Sequence, residues 1–247
     1  MSNQLFAIGD VHGKYRLVQD LLQKWDKTTQ QLVFIGDLID RGEDSKSCLE
    51  LVCRLVREEG AVCLMGNHEW MFLRYLDDPT ERYDHYQRNG GDTTINSLLG
   101  RPLDAQVDPV SDAVAIVGQY AEMVDQIREF PYLYETQEYL FVHAGLDLSL
   151  PDVRETADYD KVWLRQPFHE GQNQTGKRIV FGHTPTKYLF DCQDYPDQIW
   201  TTEDGKIGID GGAVYGGYLH GVALDETGVV KVHSVGETLS DQTIIDG

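Results

Sequence analysis

The chain has 247 residues, 28.0 kDa, with 41 acidic against 21 basic side chains, a formal net charge of −20 and a pI near 4.6. So acidic a surface repels nucleic acid and anionic lipid, which excludes both as expected partners. Hydrophobic residues at 41% and 13 Tyr are too many for a disordered acidic chain, so a folded globule is expected.

The first residues, MSNQLFAIGD, carry no basic leader, and the apolar run Leu5–Ile8 is too short for a signal or a membrane span. The four cysteines, Cys48, Cys53, Cys63 and Cys192, form neither a CxxC pair nor a disulfide framework. A reducing, cytoplasmic setting is the expectation.

Three short apolar runs, at 5–8, 32–35 and 62–65, each end in a polar cluster: Gly9-Asp10-Val11-His12-Gly13, Gly36-Asp37 and Gly66-Asn67-His68-Glu69. Between them, Tyr15, Val18, Leu21, Leu22 and Trp25, then Cys48, Val52, Leu55 and Val56, recur at helical spacing. The order is β-α-β-α-β, which makes the strands parallel and brings the three clusters to one sheet edge. From Trp70 to Phe130 helical stripes take over: Phe72, Tyr75 and Leu76, then Ala113, Val117, Tyr120, Val124 and Ile127. The polar stretch between them, with Asn89-Gly90-Gly91 and Pro102, reads as loop. After Pro131 come strands at 139–142, 178–181, 206–209, 219–224 and 229–232, expected to form a second sheet. Several of these also end in polar motifs, His143-Ala144-Gly145, Gly182-His183-Thr184-Pro185 and Asp210-Gly211-Gly212.

Asp10, His12, Asp37, Asn67, His143 and His183 make a mixed oxygen and nitrogen set with no thiolate, suited to Mn²⁺, Fe or Zn²⁺. Six ligands exceed what one catalytic ion with open positions accepts, and a shared carboxylate such as Asp37 can bridge two. Two ions roughly 3.5–4 Å apart would activate a bridging water for in-line displacement at phosphorus. Gly171 to Lys177 imitates a phosphate-binding loop, but Arg178 stands where Ser or Thr is required and a strand follows, so nucleotide binding there is rejected.

Gly-Asp-Val-His-Gly (9–13), Gly-Asp-Leu-Ile-Asp-Arg-Gly (36–42) and Gly-Asn-His-Glu (66–69) resemble the three signatures of the phosphoprotein phosphatase family of calcineurin-like metallophosphoesterases, and Trp163-Leu164-Arg165 resembles the Trp-x-Arg segment of its bacterial and phage members. His143-Ala-Gly and Gly-His183-Thr-Pro resemble its downstream histidine motifs, over about residues 5 to 225. The resemblance implies one α/β domain over 1–247, an α/β/β/α sandwich with a mostly helical insertion at about 70–130. It implies two divalent ions, Mn²⁺ as the expected metal and Fe or Zn²⁺ as alternatives. Asp10, His12 and Asp37 would hold the first, and Asp37, Asn67, His143 and His183 the second. Arg41 and Arg165 match the family's phosphate-clamping arginines, whose planar fork binds two oxygens at once. His68 would be the general acid and Asp40 the carboxylate that orients it. Glu69 and Asp210 are expected to support the site without touching substrate.

The expected partner is a phosphorylated protein or a small phosphate ester. Symmetrical dinucleoside tetraphosphatases of this family usually lack the acid at position 40 and carry Asp at position 69. The chain keeps Asp40 and Glu69, so a serine/threonine protein phosphatase is the preferred reading, a symmetrical dinucleoside tetraphosphate hydrolase the alternative, and a non-catalytic scaffold a third.

Overall fold

The computed structural model describes residues 4–237. β1 (Gln4–Ile8), α1 (Tyr15–Leu22), β2 (Gln30–Phe34), α2 (Ser45–Glu59) and β3 (Val62–Cys63) follow in the expected order. β1 pairs parallel with β2, and β2 with β3. α2 starts where the Asp44 side chain accepts from the Ser47 N–H at 3.0 Å and stops at Gly60, which adopts φ of 68°.

Four helices come next: α3 (Asn67–Asp77), α4 (Pro79–Arg88), α5 (Gly91–Leu98) and α6 (Pro109–Arg128). The stretch that reads as loop is therefore mostly α4 and α5. Asp78 caps α4 by accepting from the Glu81 N–H at 3.2 Å, with Pro79 in the first turn, and Gly90 at φ 93° makes the sharp turn into α5. Position 120 breaks the stripe of α6. Tyr120 has non-helical angles, φ −126° and ψ 29°, so Val117 faces solvent while Ile116 and Met123 join the core.

The remaining elements are β4 (Leu133–Glu135), β5 (Tyr139–Val142), α7 (Asp158–Trp163), α8 (Gln166–Glu170), β6 (Arg178–Phe181), α9 (Thr186–Leu189), β7 (Trp200–Thr201), β8 (Lys206–Gly208), β9 (Leu219–Asp225) and β10 (Gly228–Val235). They build two mixed five-stranded sheets, ordered β10-β9-β1-β2-β3 and β4-β5-β6-β8-β7. The expectation that 219–224 and 229–232 lie in the second sheet is corrected here. β9 runs antiparallel to β1, with Leu5 opposite Leu224, and β10 folds back on β9. Without β9, β1 would be an unpaired edge.

Alternation along the strands sets the layers. Leu5, Ala7, Val33 and Ile35 meet Tyr139, Phe141, Val180 and Ile207 between the two sheets. Phe6, Ile8, Leu32 and Phe34 face the helices from α1 to α6. Leu140, Val142, Ile179 and Phe181 pack outward against Leu146, Val153 and Phe168. The result is an α/β/β/α sandwich in which each buried large apolar side chain contributes about 1.5–3 kcal/mol. Parallel β1, β2, β3 and β5, β6, β8 present their C-terminal ends to a common region. Among the described residues no helix is long and apolar enough to cross a membrane.

Candidate metal centre

Asp10 and His12 follow β1; Asp37, Asp40 and Arg41 follow β2; Asn67 and His68 open α3; His143 follows β5 and His183 follows β6. All but Arg41 are buried. Potential ligand atoms converge in two groups, His12 with Asp37 and His68, and Asp37 with His143 and His183, each within 4.8 Å. Asp10 adjoins the second group through Oδ2, which accepts from the His183 N–H at 2.9 Å. His12, Asp37, Asp40, Arg41 and His183 have φ of 45°, 51°, 71°, 70° and 64°. Strained backbone of this kind persists only where surrounding structure over-determines it, and here it gathers at one place.

His12 donates from Nδ1 to the Ile39 carbonyl at 2.8 Å, and His143 from Nδ1 to the Ile35 carbonyl at 2.9 Å. In the neutral rings this leaves Nε2 as a lone pair facing the cluster. Asn67 Oδ1 sits 2.9 Å from His143 Nε2 and 2.8 Å from His183 Nδ1. Among the described residues, Asp10 Oδ1 and His183 Nε2 are buried with no hydrogen-bond partner, and a Cβ on Gly182 would collide with that Asp10 oxygen. Converging oxygen and nitrogen acceptors, two of them orphaned, fit divalent cations.

The electrostatics point the same way. Burial lowers the proton affinity of His143, but the Asp37 and Asp10 carboxylates outweigh it and lift the pKa to about 9. Burial pushes Asp37 up, but the imidazoles of His143 and His68 overcome it and hold the carboxyl well below its usual range. Burial, with repulsion from Asp210 and Asp37, raises Asp10. Burial also raises Asp210, to about 6. Acidic groups that repel one another here create a demand for positive charge.

His68 Nδ1 meets Asp40 Oδ2 at 2.6 Å, which leaves Nε2 as its free nitrogen, 4.0 Å from Asp37 Oδ2. Glu69 accepts backbone N–H groups of Asp37, Leu38 and Gly66 at 2.8, 2.7 and 3.1 Å, tying two motif loops together. It supports the site without facing it.

A cavity of about 170 Å³ opens over these groups, lined among others by His12, Arg41, His68, Arg165 and His183. Arg41 NH1 reaches His12 Nε2 at 2.8 Å, and Arg165 NH1 donates to the Thr184 hydroxyl at 2.8 Å. Trp163, Tyr188 and Tyr215 complete the walls, the two tyrosines 64% and 50% exposed. Sequence reasoning did not single out those tyrosines, nor Tyr86 and Thr94, which contact Asp40 from α4 and α5. The Asp78-Pro79 start signal marks the helix that carries Tyr86. Lys177, in the rejected loop, is spent on the Thr136 carbonyl and on Glu135 at 2.7 Å.

The family described as calcineurin-like phosphoesterase matches residues 4–207, most of the chain. The chain belongs to that family. It is a phosphoester hydrolase of a family that uses divalent metals, with phosphoprotein phosphatase motifs. Serine/threonine-protein phosphatase 1 of Salmonella typhimurium is 27% identical over 87% of this chain and 89% of its own length. The asymmetrical bis(5'-nucleosyl)-tetraphosphatase PrpE of Halalkalibacterium halodurans is 25% identical over 94% of each chain. A symmetrical bis(5'-nucleosyl)-tetraphosphatase of Dechloromonas aromatica is 29% identical, over 66% of this chain and 51% of its own. The phosphoesterase thus resembles relatives with different substrates.

Proposed function

We propose that this phosphoesterase hydrolyses phosphoserine and phosphothreonine esters in proteins. Asp10, His12 and Asp37 would hold one divalent ion, and Asp37, Asn67, His143 and His183 a second; the set suits Mn²⁺, Fe or Zn²⁺, and the family resemblance makes Mn²⁺ the expected metal. When bound, the ions supply an activated water and offset charge on the phosphoryl oxygens. Arg41 and Arg165 bind the phosphoryl group and orient it so that the ester oxygen faces His68. As the bond from phosphorus to that oxygen breaks, its electron pair goes to the oxygen and the proton on His68 Nε2 follows. Asp40 holds the ring through Nδ1, which leaves Nε2 to face the leaving oxygen.

The observation that carries this reading is the 2.6 Å contact between His68 and Asp40. A serine alkoxide is too basic to leave unprotonated, so a buried, oriented proton donor suits an alkyl ester. A nucleoside phosphate leaves as a stable anion and gains little from one. The Salmonella relative, aligned over nearly the whole chain, supports the same reading. The buried thiols of Cys48, Cys53 and Cys63 suit a reducing cytoplasm. We read 1–247 as one catalytic domain, with the helices at about 70–130 as its insertion.

Exposed Tyr188 and Tyr215 at the cavity favour a second reading, since aromatic faces can stack on nucleobases. This is the dinucleoside tetraphosphate hydrolase that two of the relatives are named for. The test is kcat/KM of Mn²⁺-loaded protein on a phosphoserine peptide and on diadenosine tetraphosphate. The peptide is expected to be the better substrate; the reverse order replaces the first reading by the second.

A further inference from the structure

Asp40 has no exposed surface, and its two carboxylate oxygens have separate partners. Oδ2 faces His68 Nδ1 at 2.6 Å. Oδ1 accepts the Tyr86 hydroxyl at 2.6 Å and the Thr94 hydroxyl at 2.6 Å, from residues 46 and 54 positions further along the chain. The Asp40 N–H in turn donates to Thr94 Oγ1 at 2.9 Å and to Ser45 Oγ at 3.1 Å. Thr94 thus grips both the backbone and the side chain of a residue held at φ 71°. Tyr86 is 1% exposed and Thr94 fully buried, so neither hydroxyl has water as an alternative partner.

We infer that Tyr86 and Thr94 are positioning residues for proton delivery: the helical insertion uses them to fix the Asp40 carboxylate so that His68 Nε2 faces the leaving oxygen. The inference rests on the reading of His68 as the proton donor. With Oδ1 engaged by the Tyr86 hydroxyl and by the Thr94 hydroxyl, which also lies 2.9 Å from Ser45 Oγ, Oδ2 is the oxygen turned to His68, which sets both the rotation of the carboxylate and the plane of the imidazole. Charge-assisted hydrogen bonds of this length are strong and directional. The insertion touches no reacting atom through these two residues; it determines how well esters with poor leaving groups are cleaved. Such esters need the proton, and nitrophenyl esters do not.

The test compares Tyr86→Phe, Thr94→Val and Thr94→Ser with wild type and with His68→Asn, all loaded with Mn²⁺. The readout is the ratio of kcat on a phosphoserine peptide to kcat on p-nitrophenyl phosphate. Tyr86→Phe and Thr94→Val are expected to lower that ratio about tenfold, in the range found when a residue supporting a site residue is removed. KM for the peptide should change less than about twofold, since substrate contacts are untouched. Thr94→Ser keeps the hydroxyl and should retain the ratio. In proton NMR of the protein loaded with diamagnetic Zn²⁺ in place of Mn²⁺, the resonance of the His68 Nδ1 proton should shift in Tyr86→Phe. Should Thr94→Val fail to fold, Tyr86→Phe, which deletes one oxygen and keeps the ring, carries the comparison. An unchanged ratio in folded Tyr86→Phe, with the ratio lowered in His68→Asn, overturns the inference and leaves the proton-donor reading standing. An unchanged ratio in His68→Asn removes that reading itself.

Discussion

The Asp37 carboxylate faces His143 with one oxygen, Oδ1 lying 3.4 Å from Nε2, and turns Oδ2 towards His12, 3.6 Å from its Nε2. One side chain thereby adjoins both groups of potential ligands. Asp37→Asn is expected to lower the content of both ions, measured by elemental analysis after gel filtration, together with turnover. A variant that keeps two tightly held ions and a near-normal rate would show that Asp37 does not bridge.

Arg41 and Arg165 reach the cavity from different segments, the loop after β2 and the end of α7. Arg41→Ala and Arg165→Ala are each expected to lower kcat/KM by about 2–4 kcal/mol of transition-state binding, as other preorganised charge stabilisers do. Metal content should stay intact. If Arg165→Ala retains full kcat/KM, its bond to Thr184 is its whole role.

The strand-end motifs were legible because short apolar runs closing on Gly-Asp or Gly-Asn-His carry both a period and a stop. Sheet membership was not legible for β9, because Leu219–Asp225 is buried almost throughout and nothing in its own pattern names β1 as its partner. Tyr86 and Thr94 were missed for a related reason. Their partner lies 46 and 54 residues away, and a polar composition around Asn89-Gly90-Gly91 concealed two helices that turn these hydroxyls inward. Local propensity describes the exposed face of such helices, and tertiary contact decides the buried one.

His220 lies fully buried on β9, its Nδ1 2.9 Å from the Ser234 hydroxyl, and burial lowers its pKa to about 4. Its folded value is below its unfolded value, so its contribution is complete above about pH 6.5 and is lost as pH falls towards 4. The loss amounts to about 3 kcal/mol at most. Urea unfolding at pH 7.5 and 4.5 should show a smaller acid loss in His220→Gln than in wild type. Equal losses would mean that this imidazole does not titrate with unfolding.

If His68, held by Asp40, protonates an alkyl leaving group, the loss on removing it must grow with the basicity of the departing oxygen. With metal content verified equal, His68→Asn should slow phosphoserine peptide hydrolysis by roughly 10²–10⁴-fold and p-nitrophenyl phosphate hydrolysis much less. Asp40→Asn should give a weaker form of the same pattern. Equal losses on the two substrates would contradict the claim and assign His68 to stabilising charge on the phosphoryl group.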